Sequence, residues 1–338
     1  MIQKIKKEII NNNLIKEGQT IVVAFSGGED STCLLFILNK LKNYFKFNLK
    51  AHHINHQIRE KESDRDAQFA KDFCNKENID FKLSIIDVPA FAKKNHFSIE
   101  ESARILRYNE LRKNIIEDKK NNTILALAHH LNDNVETIIH NLIRGSGMDG
   151  LIGMDIKNKE IIRPLLNIKK IEISDFMKKE KIPFVFDSSN EDIKYTRNYI
   201  RMEIIPRLEK VNDKALEHIA QYANIIKEDK DYIEENAKIF YNENVKYDKK
   251  NNTISVSSSK INSLNKTLKI EVIKKIIQTM IPLKDFTKKH FFDIIKISEG
   301  HNGLHIDLPK KITLDKKKSV LIFKKNENVI SMERKNKK

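Results

Sequence analysis

The sequence predicts an α/β protein in which a doubly wound, mainly parallel sheet is followed by a smaller, mostly helical domain. Three observations carry that prediction. Short apolar runs of β type alternate with helical stretches between Gln19 and Arg144, the pattern of βαβ units. Two polar motifs, opening at Ser26 and His129, fall directly after strands, where open α/β sheets bind their ligands. Past Asp213 the alternation stops and long helical segments take over.

The elements follow in order. Ile2, Ile5, Ile9, Ile10 and Leu14 stand among lysines over residues 1–18, an amphipathic helix. Residues 21–25 form the first strand, a polar turn at 26–31 follows, and 33–41 is helical. Strands are expected at 49–54, 81–87 and 123–128, with helices at 62–77, 99–116 and 134–144. In the later part, 215–241, 264–280 and 286–297 read as helices. Residues 251–259 are polar and β-branched, and 304–308 with 320–323 alternate like a hairpin. The expected division is an α/β domain at 1–212, a mostly helical domain at 213–330 and a basic tail at 331–338.

Composition narrows the function class. A chain of 338 residues suggests about two domains. Nine glycines and six prolines exclude a collagen-like or low-complexity chain. Lys+Arg total 63 against 47 for Asp+Glu, a net charge of +16, which favours a polyanion, either nucleic acid or an acidic membrane face. Cys33 and Cys74 are the only cysteines, so no C-x-x-C serves zinc, an iron–sulfur cluster or a redox pair. No signal-peptide pattern and no apolar run near ~18 residues occurs. The expectation is a soluble, cytoplasmic protein with no membrane partner.

Four segments carry chemistry. In Ser26-Gly27-Gly28-Glu29-Asp30-Ser31, a strand turns through two glycines into a helix, leaving N–H groups free at the positive helix end. Glycines let a phosphate approach the main chain, and the two serines add donors. A plain tight turn capped by Asp30 or Ser31 is the alternative. The loop lacks G-K-[ST] and G-x-G-x-x-G, so it is neither a Walker A loop nor a dinucleotide loop.

His129, Asp133 and Glu136 share one face if helical phase extends back to the strand end. Such carboxylates suit Mg²⁺ or an ammonium group, although Asp133 and Glu136 also fit a capping box. Arg144 to Met154 is glycine-rich, and a flexible connector explains it equally well. Asp187-Ser188-Ser189-Asn190 precedes Arg197 and Arg201, whose spacing of four suits phosphate clamping or a solvated basic face.

S-G-G-x-D-S after an apolar strand resembles the PP-loop of the ATP-pyrophosphatase superfamily, a Rossmann-like fold. The ordered series resembles the tRNA(Ile)-lysidine synthase family in its shorter form. It comprises that loop, His53-Ile54-Asn55-His56, Glu101 to Tyr108, His129 to Thr137, Arg144 to Gly147, Arg163-Pro164-Leu165-Leu166, Asp187 to Asn190 and Thr196 to Arg201. The match is strong over residues 19–212. Departures are Gln57, where the family usually has glycine, and Asn132, where an acidic residue is common.

The resemblance implies an ATP-dependent ligase that adds free lysine to C2 of the wobble cytidine in the CAU anticodon of isoleucine tRNA. Ser26, Gly27, Gly28, Glu29, Asp30 and Ser31 would hold ATP, with Asp30 also contacting Mg²⁺. Arg107 and Arg197 would offset charge on the α-phosphate. Asp133 and Glu136 would bind the lysine, one of them or His129 acting as base. A homodimer stays open. The rivals are another PP-loop ligase, such as a thiolase or an amidotransferase, and a non-catalytic RNA-binding protein with a vestigial loop.

Overall fold

The computed structural model describes residues 1–58, 60–118, 122–186 and 196–326. The chain forms two units, Met1–Asn224 and Ile225–Lys338.

The first unit runs α1 (Ile2–Asn11), β1 (Thr20–Ala24), α2 (Glu29–Phe45), β2 (Asn48–Asn55), α3 (Glu60–Lys76), β3 (Asp80–Ile85), α4 (Val88–Asn95), α5 (Ile99–Ile116), β4 (Thr123–Ala126), α6 (Leu131–Ile143), α7 (Met148–Leu151), β5 (Ile161–Ile162) and α8 (Lys170–Lys179). A helical stretch follows as α9 (Thr196–Tyr199), a π-turn (Ile200–Ile204) and α10 (Ile205–Val211). The strands pair in the order β3-β2-β1-β4-β5, all in parallel, as expected for a doubly wound fold.

Both faces of the sheet are covered, which is why β1 is apolar without alternation. Ile21, Val22 and Val23 are all buried. Ile21 and Val23 pack in the larger core with Leu34, Leu38, Ile162 and Ile173. Val22 packs on the opposite face with Ile54, Leu111 and Leu125. The strand order reverses between β1 and β4, the switch point where loops leave in opposite directions and open a crevice. The Ser26 loop and the His129 segment leave these two neighbouring strands.

Several elements differ from the sequence reading. The first helix stops at Asn11, and Leu14 is buried beyond it. Helices α2 and α6 begin four and three residues earlier than the apolar pattern indicated, because polar residues occupy their first turns. Helix α4 was not anticipated; its Asp87 cap accepts from the Ala90 N–H at 2.9 Å. Strand β5 is two residues long, too short for periodicity to register. Helix α8 buries only Ile173 and Met177, a stripe of one turn among charges.

The division falls within α11 (Ala215–Asn244). The second unit continues with β6 (Val245–Asp248), β7 (Thr253–Ser257), α12 (Ser258–Asn262), α13 (Lys266–Met280), α14 (Lys288–Glu299), β8 (His305–Leu308), β9 (Ile312–Lys317) and β10 (Val320–Lys325). Helices α11, α13 and α14 match the expectation and the short α12 was not expected, while the strands form an antiparallel sheet in the order β6-β7-β10-β9-β8. The expected hairpin of 304–308 with 320–323 is corrected: β9 lies between them and pairs with both. Its sequence, ITLDKK, ends in lysines and hid the strand. Lys316 is nevertheless buried, donating to the Ser298 and Gly300 carbonyls at the end of α14, a cationic helix cap.

Candidate active site

The loop after β1 is built by its own hydroxyls. Ser26 and Ser31 lie 3.0 Å apart through their Oγ atoms, and Ser26 Oγ accepts from the Gly28 N–H at 3.3 Å. Thr32 Oγ1 donates to the Gly28 carbonyl at 2.9 Å. Gly27 has φ +87°, and a Cβ there would stand 3.2 Å from the Phe69 ring. That conformation belongs to glycine. Gly28 is the N-cap of α2 and supplies no side-chain acceptor, so no capping side chain takes up the first N–H groups of the helix, donors of the kind that suit an anion.

At the end of β4 the chain turns differently from the helical-phase expectation. His130 is extended (φ −119°, ψ −179°) and caps α6, so His129 lies outside the helix. The capping box exists but sits one turn earlier than expected. His130 N–H donates to Asp133 Oδ2 at 3.1 Å, and Asp133 N–H donates to His130 Nδ1 at 3.3 Å. His130 Nε2 is 3.7 Å from Asp30 Oδ2 and 3.5 Å from Asp133 Oδ2, which links the two motifs through one imidazole.

The arginine segment faces the same acids. Leu131, Val135 and Ile139 of α6 pack with Ile200, Ile205 and Leu216, which sets the π-turn against α6. A π-bulge shifts helical register and recurs at functional sites. Arg201 donates to Glu136 Oε2 from Nη2 at 2.7 Å and from Nε at 3.0 Å, and its Nη2 is 3.5 Å from Asp133 Oδ1. Arg197 Nε is 4.0 Å from Glu136 Oε1. Burial is the largest influence on Glu136 and raises its pKa; Asp133 adds to that, and Arg201 and Arg197 oppose it.

Burial depresses His129 to about 4, with Arg163 and Arg107 acting the same way and Asp133 opposing. Arg163 Nε donates to His129 Nδ1 at 3.3 Å, leaving the neutral ring its proton on Nε2. Arg107 is exposed, and its charge also acts on His56, which burial depresses to about 4. A lysine was not expected here, yet the Lys170 ammonium reaches both loop acids, Glu29 at 2.8 Å and Asp30 by a hydrogen bond.

Residues 1–208 match the family model of a PP-loop domain. The chain is 33% identical over 337 residues to the tRNA(Ile)-lysidine synthase of Clostridioides difficile, covering 98% of this chain and 72% of that protein. This chain belongs to the tRNA(Ile)-lysidine synthase family. Two further synthases are similar, from Thermosipho africanus (44% over 212 residues, 63% of this chain, 49% of that one) and from Clostridium tetani (34% over 318 residues, 92% and 66%). The chain thus spans from about half to less than three quarters of the length of these relatives. A U34-tRNA thiolase, NcsA from Methanococcus maripaludis with its [4Fe-4S] cluster, has the same fold: TM-score 0.56 and 20% identity over 67% of this chain and 78% of that one.

Both departures from the lysidine synthase pattern have a structural account. Gln57 takes φ +51°, the left-handed conformation a glycine would hold without strain, and its N–H donates to Asn55 Oδ1 at 2.9 Å. The loop therefore keeps a glycine-type turn. Asn132 Oδ1 accepts from the Lys170 N–H at 2.9 Å. Asn132 thereby fixes the start of α8.

The fold thus brings Asp30, His129, His130, Asp133 and Glu136 together beyond adjoining strand ends, with Arg197 and Arg201 set against the acids from α9 and the π-turn. Asp187-Ser188-Ser189-Asn190 lies outside the described residues. Sequence reasoning passed over Lys170, which sits in a surface-type run of lysines, and Arg163, whose R-P-L-L setting was its only signal. Cys33 and Cys74 are free and buried, their thiols pushed up to about 12 by burial, unsuited to thiolate chemistry.

Magnesium fits on donor chemistry. Mg²⁺ takes one or two carboxylates beside substrate phosphates rather than a full protein cage. Asp30 and Asp133 offer such a pair around His130, and among the described residues no group of three or more His, Cys, Asp or Glu forms a cage.

Proposed function

We propose that the chain ligates free lysine to C2 of the wobble cytidine in the CAU anticodon of isoleucine tRNA, with ATP as activator. The reading is supported above all by one relationship: an anion-binding glycine turn after β1 and an acidic pair after β4 leave neighbouring strands of a parallel sheet. Such a corner suits a triphosphate on one side and an amine on the other.

In the first half-reaction the cytosine O2 attacks the α-phosphorus and pyrophosphate leaves. The backbone of Gly27 and Gly28 with Ser26 and Ser31 holds the β- and γ-phosphates, and the N-terminus of α2 offsets their charge. Magnesium, when bound through Asp30, would neutralise the triphosphate. Arg107 lies close enough to act on His129 and is assigned to the α-phosphate with Arg197.

In the second half-reaction the lysine ε-amine attacks C2 and AMP leaves. Asp133 and Glu136 take the incoming ammonium, and one carboxylate removes its proton. His129 Nδ1 already accepts from Arg163 Nε, so the neutral ring has no free lone pair and offers its Nε2–H as a donor that orients the base or the phosphate. Of the two candidates expected for the base, a carboxylate or His129, this reading favours the carboxylate.

The target base leaves the anticodon stack to reach the corner. The +16 surplus supplies phosphate contacts, and residues 213–330 are assigned to tRNA contact. Among the described residues no helix is long and apolar enough to cross a membrane, and the cytoplasm, where ATP and tRNA meet, is the proposed setting. Incubation of purified protein with ATP, labelled lysine and the tRNA, followed by mass analysis of its nucleosides, tests the reading. Lysidine at the wobble position is expected; pyrophosphate release without lysine transfer would overturn it.

A further inference from the structure

The two acids that open α2 already hold a cation from this chain. Lys170 Nζ is 2.8 Å from Glu29 Oε2 and hydrogen-bonded to Asp30 Oδ1. The arrangement is braced on both sides. Lys170 N–H is fixed by Asn132, and Ser174 Oγ, one turn on, donates to Glu29 Oε2 at 3.0 Å.

The two carboxylates differ. Glu29 is held by Lys170 and Ser174 together and its side chain is 18% exposed, whereas Asp30 is 31% exposed and its other oxygen faces His130. Asp30 is the acid that can exchange partners with solvent. Without Lys170, two negative charges would stand at the mouth of a loop built to receive a polyanion. With it, one net negative charge remains.

We infer that Lys170 is a positioning residue, a built-in counter-cation that holds Asp30 until nucleotide enters and then yields it to a divalent cation, its ammonium turning toward the phosphates. This rests on the reading that ATP binds at the Ser26–Ser31 turn. It separates two affinities that a mere tether between α2 and α8 would move together. Removing Lys170 frees Asp30 for metal but removes a positive charge from the polyphosphate.

The experiment is Mn²⁺ titration, followed by electron paramagnetic resonance, of the nucleotide-free protein and its Lys170→Met, Lys170→Arg and Asp30→Asn/Lys170→Met variants, with ATP binding measured by calorimetry. For a half-exposed pair the expected rise in Mn²⁺ affinity in Lys170→Met is about fivefold, with ATP affinity falling by a similar factor. Lys170→Arg is expected to stay near the wild type, and the double variant to lose the gain. Unchanged or weaker Mn²⁺ binding in folded Lys170→Met overturns the inference. Should that variant not fold, Lys170→Gln is read in the same way. Failure of the nucleotide reading shows separately, as ATP binding by the wild type that Gly27→Ala leaves intact.

Discussion

Arg201 Nη2 stands 2.7 Å from Glu136 Oε2, so a guanidinium occupies the acidic pair assigned to the substrate ammonium. The Glu136 side chain is 5% exposed and that of Arg201 is 40% exposed. The acid therefore depends on the arginine more than the reverse. Burial holds the Glu136 pKa above its ordinary value of 4.5, and Arg201 limits the rise. A carboxyl raised in this way contributes stability below pH 4.5, and that contribution is lost as pH rises through the folded value. Arg201→Met lifts the folded value further. Its destabilisation is expected to be smallest near pH 4.5 and to grow toward pH 7, to about 1–3 kcal/mol. Urea unfolding at a series of pH values measures this; a pH-independent loss would contradict it.

Asp30 lies in the first turn of α2 and Glu136 on α6, and they serve different substrates in the proposed reaction. Asp30→Ala and Glu136→Ala are each expected to lower turnover by about 10²–10³-fold while tRNA binding stays near normal. Pyrophosphate release and filter binding of the tRNA separate the two effects. A variant that keeps most of its rate removes the role given to that residue.

The parallel sheet and the positions of both motifs were legible because buried strands are apolar runs and the ligand-bearing turns interrupt them. What stayed hidden was pairing across the site. Arg201 reads as half of a basic face, and only the packing of Ile200 and Ile205 on α6 turns it toward Glu136. Lys170 reads as a surface lysine until Asn132 fixes its backbone. His130 escaped because histidine is an uncommon N-cap, and the cap decides that His129 is outside the helix. Strand β9 was missed since its lysines mask a half-buried alternation.

Gly27 tests the loop directly. A side chain at φ +87° costs about 1–2 kcal/mol in backbone strain, and the added Cβ presses on Phe69 at 3.2 Å. Gly27→Ala is expected to lower stability and to weaken ATP binding severely. Gly18 is a control, with φ +78° and open space around its Cβ position. Gly18→Ala is expected to carry the strain alone and to leave ATP affinity unchanged. Calorimetric titration of ATP into both variants decides; equal losses of affinity would deny the loop its role.

Buried imidazoles set the response to acid. His52, His56 and His129 are each depressed to about 4, burial being the largest cause in every case. His52 sits in a closed network, with Ser84 Oγ 2.9 Å from its Nε2 and Asn114 Nδ2 2.7 Å from its Nδ1. A base with a depressed folded pKa stays neutral in the folded chain while the unfolded chain takes up a proton. Stability is then fully present above the ordinary histidine value of 6.5 and falls as pH drops toward 4. Each such residue steepens the fall by about 1.4 kcal/mol per pH unit. Urea midpoints between pH 7 and pH 5 are expected to drop steeply, and His52→Gln is expected to flatten the slope. An unaltered slope in that variant would mean that His52 takes up its proton as readily in the folded chain as in the unfolded one.

Binding of the tRNA should be governed by phosphate neutralisation, since the chain carries 63 basic against 47 acidic side chains. Each phosphate contact releases counterions, so affinity falls linearly with salt on a log–log plot. For six to ten contacts the expected loss between 50 and 200 mM salt is about 10³–10⁵-fold. ATP and lysine meet a few fixed groups in the corner rather than an extended surface, and their affinities are expected to move far less over the same range. Filter binding of the tRNA and calorimetry of ATP, run in parallel across the salt series, compare the two. If tRNA affinity proves as insensitive to salt as ATP affinity, the basic surplus is not what grips the RNA, and recognition must reside in the base-reading corner alone.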